Sequence, residues 1–347
     1  MTTPSAAGLV MPAEWERHAR CWMAWPCRLD LWGDGLDAAR SAYAEVARTI
    51  AEFEPVTMVC NPADVAEASL ASGAGVDVMS MPIDDSWMRD TGPTFVVDHE
   101  GALAAIDWRF NGWGNLYGDY ENDADLARRI IEHVGAWRYD APVVLEGGAI
   151  DVDGEGTLLT TEQCLLDPNR NPGVSRSEME RHLKDHLGVG TVIWLDRGYE
   201  DDETAGHIDE IACFARPGVV LALATDDRQD GNHPVFQDNL ARLRDARDAH
   251  GRRLEVIELP LPKRRDNADG RRITLSYANF YIANGGVVMP GFEVAADDRA
   301  FKILRDVFPD RRVIQVAASD IVVGGGGIHC ITQQQPAPGP AADHDVQ

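Results

Sequence analysis

The chain has 347 residues, of which 44% are hydrophobic and 26% are charged, a composition typical of a globular protein with a sizeable core. Its formal net charge of −25 at pH 7 excludes nucleic acid and membrane surfaces as expected partners and favours a small cation. No signal peptide and no apolar run long enough to span a membrane are recognisable. Six scattered cysteines without a CxxC pair indicate free thiols, so we expect a cytoplasmic protein.

Five segments carry apolar residues at i, i+3 and i+4 spacing and are predicted to be helices. In chain order these helices are Asp37–Glu54, Asp123–Gly135, Ser175–Leu187, Phe236–His250 and Asp297–Phe308. Ser175 and Glu178 have the spacing of a capping box, which indicates that the third helix begins there.

A short β-branched run follows each predicted helix and is predicted to be a strand. These strands are Pro55–Cys60, Pro142–Leu145, Thr191–Leu195, Leu254–Leu259 and Val313–Val316, with further strands at Thr94–Val97, Gly218–Ala222 and Gly285–Met289. The order helix, strand and loop therefore recurs five times. This recurrence favours a closed or solenoidal α/β array, with an ordinary doubly wound α/β sheet as the alternative.

No Ser-rich or Gly-rich linker interrupts the chain, so we predict a single domain over residues 12–336. Residues 1–11 and 337–347 are expected to be flexible termini, the latter because a tail rich in Pro, Ala and Asp cannot build a core. The most unusual loops are Asp84–Pro93, Glu146–Gly148, Asp201–Asp209, Ser276–Phe280 and Gly324–Cys330. They occupy comparable stages of the five units, and a radial arrangement would bring them to one axis.

The strongest local feature is a run of four glycines, Gly324–Gly327, that ends shortly before Cys330. Glycines allow close backbone approach or positive φ, and backbone N–H groups near a cysteine favour its thiolate. Cys330 is therefore a candidate nucleophile, although a flexible turn that ends in a buried strand cysteine has the same pattern.

His207 and Asp209 would lie on one face of an extended segment, where the carboxylate orients the imidazole or binds a cation. A histidine that titrates near neutrality can act as an acid and then as a base. A metal site and a polar surface strand are the alternatives, and too few His and Cys residues stand nearby in the sequence for a zinc cluster.

Two further segments carry acidic residues that can meet a cation. Trp87 can stack on a planar cation and Asp90 can pair with it through two parallel hydrogen bonds, unless Arg89 and Asp90 form structural ion pairs. Glu146 ends an apolar run, so we expect it to be partly buried beside a partner such as a bound cation, or to cap a helix. The DGEG sequence of Asp153–Gly156 indicates a hairpin turn.

Together, these motifs resemble the agmatine deiminase family, which belongs to the guanidine-modifying superfamily and is related to bacterial peptidylarginine deiminases. The matching segments, from about Met11 to Pro336, are MPAEWERHARCWMAWP, DDSWMRDTGP, FNGWGNLY, VLEGGAIDVDGEGTLLTTEQCLLDPNRNP, DDETAGHIDE, SYANFYIANGGVVMPGF and GGGGIHCITQQQP. The resemblance implies a fivefold pseudosymmetric α/β propeller, with five degenerate strand–helix units around a central active site.

The resemblance also implies a role for each candidate residue. These are Cys330 as nucleophile, His207 as acid–base histidine, Asp90 and Asp209 as guanidinium-binding carboxylates, Glu146 as a further active-site acid, and Trp87 and Glu203 in the substrate channel. The implied reaction converts agmatine to N-carbamoylputrescine and ammonia through a covalent thiouronium on Cys330, a step towards putrescine and the polyamines. It needs no metal and no organic cofactor.

Gly327 and Ala205 depart from the family pattern, because each stands where the family commonly has Asn. Both can alter substrate fit. Deimination of another guanidine, such as free or peptidyl arginine, and a non-catalytic polyamine-binding homologue are therefore alternatives. An arginine-specific site needs a cation for the substrate carboxylate, and Arg89 is the one evident cation in these loops. A homo-oligomer is left open.

Overall fold

The computed structural model describes residues 2–338 and has a mixed α/β fold, with five small sheets in that range. The doubly wound alternative is wrong, because these strands do not join into one continuous sheet. Within the described residues, no helix has the length and apolar character that a membrane crossing requires.

The sixteen strands between residues 2 and 338 are β1 His18–Ala24, β2 Val56–Cys60, β3 Val76–Ser80, β4 Thr94–Val97, β5 Leu103–Arg109, β6 Trp137–Val144, β7 Asp151–Val152, β8 Thr157–Thr161, β9 Thr191–Leu195, β10 Ala212–Arg216, β11 Val219–Ala224, β12 Glu255–Pro260, β13 Tyr281–Ala283, β14 Gly286–Gly291, β15 Arg312–Ala317 and β16 Thr332–Pro336. Every predicted strand is present, and most of the observed strand ends differ from the predicted ends by a few residues.

The longer helices of the same range are α1 Leu36–Ile50, α2 Val65–Ser72, α3 Leu126–Val134, α4 Arg176–Leu187, α5 Asn232–Asp245 and α6 Ala296–Val307. Single helical turns lie at Leu29–Trp32, Met88–Thr91, Gly112–Asn115, Glu121–Ala124, Glu162–Leu165 and Ser319–Val322. All five predicted helices are present, and α2 is an addition that the sequence analysis did not predict.

Four of the sheets repeat one pattern, in which an antiparallel strand pair is followed by a third strand that is parallel to the second. They are β4-β5-β6, β7-β8-β9, β10-β11-β12 and β13-β14-β15, with α3, α4, α5 and α6 as the respective crossover helices. The remaining sheet pairs β16 antiparallel to β1, and α1 then crosses to the parallel strand β2. A parallel pair needs such a crossover, so the repeat explains why helices and strands alternate along the sequence.

Local sequence sets the ends of several elements. Ser175 Oγ accepts a hydrogen bond from the Glu178 N–H while the Glu178 carboxylate accepts one from the Ser175 N–H, so the predicted capping box is confirmed. Gly188 ends α4 with a φ of 69°, which glycine adopts without strain. The Asp153–Gly156 turn joins β7 to β8 as an antiparallel hairpin, as predicted.

The N-terminal segment is packed against the domain, which differs from the expectation that residues 1–11 are flexible. Leu9 is buried and Val10 forms a bridge to β4. The packed part of the chain therefore begins before residue 12, because this short segment contains apolar side chains. Of the expected flexible tail, 337–347, residues 339–347 lie outside the described residues.

Candidate active site

The five loops singled out from the sequence meet around one cavity that is partly open to solvent and has a volume of about 340 Å³. Trp87, Asp90, Glu203 and Cys330 line it directly, together with three glycines of the glycine run. The two other loops reach the same residues from behind, since the Gly148 N–H donates to Asp90 and Asn279 contacts the Cys330 sulfur. Residues far apart in the sequence thus form a single site.

Cys330 is buried, and its sulfur lies among polar groups. Asn279 Nδ2 lies 3.2 Å from Sγ, Glu210 Oε1 lies 3.4 Å from it and Asp209 Oδ2 lies 3.6 Å from it. Burial, followed by the charges of Asp209 and Glu210, holds the pKa of this thiol well above its usual range. The expectation that the loop favours a thiolate is therefore wrong for the free site, because a hydrogen bond from the Gly327 backbone is outweighed.

His207 is fully buried between two carboxylates. Its Nδ1 lies 3.7 Å from Asp90 Oδ1 and its Nε2 lies 3.7 Å from Glu146 Oε2, both longer than a hydrogen bond. Burial alone would lower the pKa of this imidazole, but the charge of Asp90 and contacts with Cys164 and Glu146 raise it well above its usual range. The neighbouring charges therefore favour the protonated imidazole.

The extended geometry expected around His207 and Asp209 is wrong, since Ile208–Glu210 forms one turn of 3₁₀-helix. The two side chains still meet, because both approach Gly148 of the EGG sequence. A Cβ atom added to Gly148 would lie 2.5 Å from His207 Nδ1, 2.9 Å from Asp90 Oδ1 and 3.0 Å from Asp209 Oδ2. A side chain at this position would thus displace three predicted site residues.

Asp90 receives two hydrogen bonds that fix its orientation. The Gly148 N–H donates to Oδ1 at 3.0 Å, and the Trp113 indole Nε1–H donates to Oδ2 at 2.9 Å. Burial raises the pKa of this carboxyl to about 6 despite the nearby His207 charge. Trp113 holds a positive φ of 54°, an uncommon conformation for a bulky residue, and the sequence analysis assigned it no role.

Glu146 has a protein cation as its partner. Arg170 Nε lies 2.9 Å and 3.1 Å from its two carboxylate oxygens, and both side chains are fully buried. Burial would raise the pKa of Glu146, but the Arg170 charge and the contact with His207 lower it to about 2. Glu146 is therefore more deeply buried than expected and stays ionised beside His207.

Asp209 is held by a residue to which the sequence analysis gave no role. His329 Nδ1 lies 2.8 Å from Asp209 Oδ2, and its Nε2 lies 2.7 Å from Glu14 Oε2. Burial and Arg89 lower the pKa of His329, but Glu14 and Asp209 raise it to about 8. A protonated His329 thus donates to both carboxylates and fixes Asp209 beside the sulfur.

Arg89 points away from the cavity. Its Nη1 donates to the side-chain oxygens of Gln333 and Gln334 at 2.7 Å each, and its Nη2 lies 3.4 Å from Glu14. The backbone N–H of Arg89 donates to the Cys330 carbonyl at 3.0 Å. Arg89 therefore ties the loop that carries Asp90 to strand β16 and is not available to a substrate carboxylate.

The mouth of the cavity carries both signs of charge. The Tyr117 hydroxyl donates to Glu203 Oε2 at 3.2 Å, and Arg271 Nη1 lies 3.6 Å from Glu203 Oε1. Trp87 lines the cavity and is stacked on Trp32, with ring centroids 6.0 Å apart. Glu203 thus lines the cavity, with an exposed arginine beside it.

The two departures from the family pattern have different surroundings. Ala205 has a φ of 58°, in the left-handed region that Asn tolerates better than Ala. A Cβ atom on Gly327 would lie 2.5 Å from Asn279 Oδ1, so a larger residue there requires Asn279 to move. Both positions border the site.

Within residues 2–338, two groups of three side chains have the spacing of metal ligands. They are Glu146, Cys164 and His207, and Asp209, Glu210 and Cys330. Cys164 is far from His207 in the sequence but is buried beside it in the fold, so a cluster near His207 could not be recognised from neighbouring residues alone. Arg170 already pairs with Glu146, so a protein cation lies beside the first group.

The chain belongs to the Porphyromonas-type peptidyl-arginine deiminase family, whose model matches residues 10–336. It is 46% identical to the agmatine deiminase of Stutzerimonas stutzeri, with 97% of this chain and 98% of that protein covered. It is equally similar, at 46% identity and the same coverage, to the agmatine deiminase of Pseudomonas aeruginosa. The solved agmatine deiminase of Enterococcus faecalis is 37% identical, covers 97% of this chain and 98% of its own, and superposes with a TM-score of 0.93. The resemblance stated from the sequence is confirmed.

Proposed function

We propose that this protein is an agmatine deiminase, a hydrolase that converts agmatine and water to N-carbamoylputrescine and ammonia. The observation that carries the proposal is that Asp90, Glu203 and Cys330 line one cavity. His207 and Asp209 do not line it but lie directly behind, His207 next to Asp90 and Asp209 next to the Cys330 sulfur. Similarity to agmatine deiminases over nearly the whole chain supports the choice of substrate.

In this proposal, the planar guanidinium lies between Asp90 and Asp209, which accept its N–H groups. The two carboxylates offset the charge of the cation and hold its carbon over Cys330 Sγ. Their orientation is fixed in advance, Asp90 by Trp113 and Asp209 by His329. Such preorganisation reduces the entropy lost when the reacting atoms meet.

The entering cation also activates the nucleophile. In the free site, the carboxylates around Cys330 disfavour its thiolate, so the thiol is protonated at neutral pH. A guanidinium among the same carboxylates offsets part of their negative charge and lowers the thiol pKa. The thiolate therefore forms beside the carbon that it attacks.

The chemical steps follow from the position and charge of His207. The Cys330 thiolate adds to the guanidinium carbon, and protonated His207 donates a proton to the departing nitrogen, which leaves as ammonia. A thiouronium on Cys330 remains. Neutral His207 then accepts a proton from water, and the resulting hydroxide adds to the same carbon. The carbon–sulfur bond breaks to give the thiolate and the urea-type product, whose hydroxyl proton passes to solvent. Glu146 stabilises the imidazole in each step in which it is charged.

We also propose a scaffold for this chemistry. It is a fivefold pseudosymmetric α/β propeller whose units are the five sheets. The repeated sheet pattern and the pairing of β16 with β1 support a ring that closes between the two ends of the chain. We further propose that residues 12–336 act as a single catalytic domain in the cytoplasm. The six free cysteines support a reducing compartment, and a small guanidinium is the expected partner.

A panel of guanidines tests this function. Purified protein is expected to release ammonia from agmatine, with N-carbamoylputrescine as product, much faster than from free arginine or from a peptide that ends in arginine. Activity should persist in a chelator, since no step uses a metal. Absence of ammonia release from agmatine would contradict the proposal, and metal-dependent activity would contradict its metal-free chemistry.

Free arginine is a second candidate substrate because of one observation. Arg271 lies 3.6 Å from Glu203 at the cavity mouth, so the pair offers a cation and an anion to the carboxylate and ammonium of an amino acid. Preference for arginine in the same panel, lost in Arg271→Gln, would favour this candidate over agmatine.

A further inference from the structure

Asn279 is a buried amide that the proposed mechanism does not use. Its side chain is fully buried, and its Nδ2 lies 3.2 Å from Cys330 Sγ. The same Nδ2 lies 3.1 Å from Glu210 Oε1 and 3.2 Å from the Asp209 carbonyl oxygen. The two hydrogens on this nitrogen therefore have three acceptors within reach, and one of these is the nucleophile.

The backbone around the nucleophile fixes which end of this amide faces the sulfur. The His329 N–H donates to Asn279 Oδ1 at 2.8 Å, and the Cys330 N–H donates to the same oxygen at 3.4 Å. Exchanging the amide oxygen and nitrogen would turn an NH₂ group towards two N–H donors and leave both without this acceptor. Packing adds to the constraint, since a Cβ atom on Gly327 would lie 2.5 Å from Oδ1. The N–H end of Asn279 is therefore directed at Sγ.

The other side chains that contact the sulfur include two acids. Glu210 Oε1 lies 3.4 Å from Sγ and Asp209 Oδ2 lies 3.6 Å from it, and an ionised carboxylate can only accept hydrogen bonds. Among the described residues, Asn279 is the only side chain that places an N–H within hydrogen-bond distance of this sulfur. Hydrogen bonds to ionised groups are stronger than those between neutral groups, so this donor favours the charged form of the sulfur.

We propose that Asn279 is a further catalytic residue, which donates a hydrogen bond to Cys330 Sγ each time the sulfur carries negative charge. This role rests on the proposed function, since it concerns the same nucleophile. It applies before the thiolate adds to the guanidinium carbon and again when the carbon–sulfur bond breaks. In the second step the bonding electron pair returns to Sγ and the amide keeps both of its protons. The hydrogen bond thus makes the sulfur a better leaving group.

A purely structural role is the alternative, in which Asn279 only ties the backbone of His329 and Cys330 to its own loop. Loss of a tether would lower the activity by moving Cys330, but it would leave the affinity of the sulfur for a proton largely unchanged. Loss of a donor raises the thiol pKa, because the thiolate loses a hydrogen bond that stabilises its charge. The ionisation equilibrium of Cys330 therefore decides between the two roles, and its measurement needs no turnover.

The experiment titrates Cys330 in the substrate-free protein by the ultraviolet absorbance of its thiolate. Each protein is compared with its own Cys330→Ser counterpart, so that the tyrosines and the other five cysteines cancel. In Asn279→Ala, the pH midpoint is expected to rise by about one unit. The titratable groups that face the sulfur or its neighbouring carboxylates are the same in all of these proteins and are Tyr43, Asp90, His207, Asp209, Glu210 and His329.

Asn239→Ala is the matched control. Asn239 is a buried amide of α5 that also accepts from one backbone N–H and donates to one backbone carbonyl, those of Asp196 and Arg197. The midpoint of this control should equal that of the wild type. A midpoint in Asn279→Ala that is equal to or lower than the wild-type value, in a variant with a wild-type unfolding temperature, overturns the proposal.

Asn279→Asp provides the test if the alanine variant does not fold. It keeps the oxygen that accepts from the two N–H groups but replaces the donor with a second oxygen, so kcat for agmatine should fall by about tenfold or more. A kcat within about threefold of the wild type would overturn the proposal. Failure of the proposed function would appear separately, as absence of ammonia release by the wild type.

Discussion

Gly148 is the position at which the smallest change is expected to damage the site most. Its φ lies outside the left-handed region, so Gly148→Ala leaves the backbone unstrained and acts through the added methyl group alone. That methyl group would lie within 3.0 Å of His207, Asp90 and Asp209 at once. The substitution therefore tests whether these three groups must hold their present positions.

The magnitude follows from the contact distances. A carbon atom makes ordinary contacts at about 3.5 Å, so the His207 ring, 2.5 Å from the new Cβ, must retreat by about 1 Å. A misplacement of about 1 Å in a reacting group lowers the rate about 10²-fold. Overpacking of this kind reduces the free energy of unfolding by about 1–3 kcal/mol, which a folded domain survives.

The assay measures kcat/KM for agmatine from ammonia release, together with the unfolding temperature. Gly35→Ala is the matched control, because Gly35 has a φ of −85° and no atom within 4 Å of the added Cβ. We expect Gly148→Ala to lose about 10²-fold in kcat/KM and Gly35→Ala to lose almost nothing. A folded Gly148→Ala variant with activity within about threefold of the wild type would refute the reasoning.

Three further predictions concern the surroundings of the site. Ala205→Asn should increase the free energy of unfolding by about 1 kcal/mol, because Asn tolerates the φ of 58° better than Ala, and a denaturant titration that shows no gain would contradict this. The pKa of His329 is about 8 in the folded protein and about 6.5 in the unfolded chain. Protonated His329 therefore adds about 2 kcal/mol to the free energy of unfolding below pH 6.5, and this gain is lost as the pH rises through 8. In His329→Gln, the free energy of unfolding should no longer fall over this pH range. The same fall with pH as in the wild type would contradict the prediction. Glu203→Gln should raise KM for agmatine about 1.4- to 5-fold, leave kcat intact and spare an alkylguanidine with a neutral tail, whereas equal effects on both substrates would exclude contact with the distal amine.

The residues to which we assign the chemistry could be singled out from the sequence because each lies in a locally unusual segment. Cys330 follows four glycines, and Glu146 ends an apolar run before two more. Helix α4 was predictable for a similar reason, since its capping box depends on residues only three positions apart. Signals of this kind are local, and a single sequence displays them fully.

The partners that tune these residues were not predictable, because the fold brings them from distant segments. Arg170 stands 24 residues from Glu146, Asn279 stands 51 residues from Cys330, and His329 stands 120 residues from Asp209. No spacing rule relates such pairs. The ionisation of Cys330 was therefore predicted with the wrong sign, since the glycine run was visible in the sequence and the surrounding carboxylates were not.

The orientation of side chains within a loop was equally inaccessible. The alternation that placed His207 and Asp209 on one face holds for an extended strand, whereas Ile208–Glu210 is a helical turn. Arg89 stands next to Asp90 in the sequence but points to β16, where two glutamines accept its hydrogen bonds. Neighbouring residues in a short turn can thus serve the site and the scaffold separately.

Attack by Cys330 on the guanidinium carbon is the central step of the proposed reaction. The mass of the protein during turnover tests this attack most directly. Wild-type protein quenched while it consumes agmatine should carry, on the peptide that contains Cys330, a mass gain equal to agmatine less one ammonia. Cys330→Ser should carry no such adduct and release no ammonia, because a hydroxyl at this position stays protonated near neutral pH. Undiminished ammonia release by Cys330→Ser, with no adduct on the wild type, would contradict the central claim.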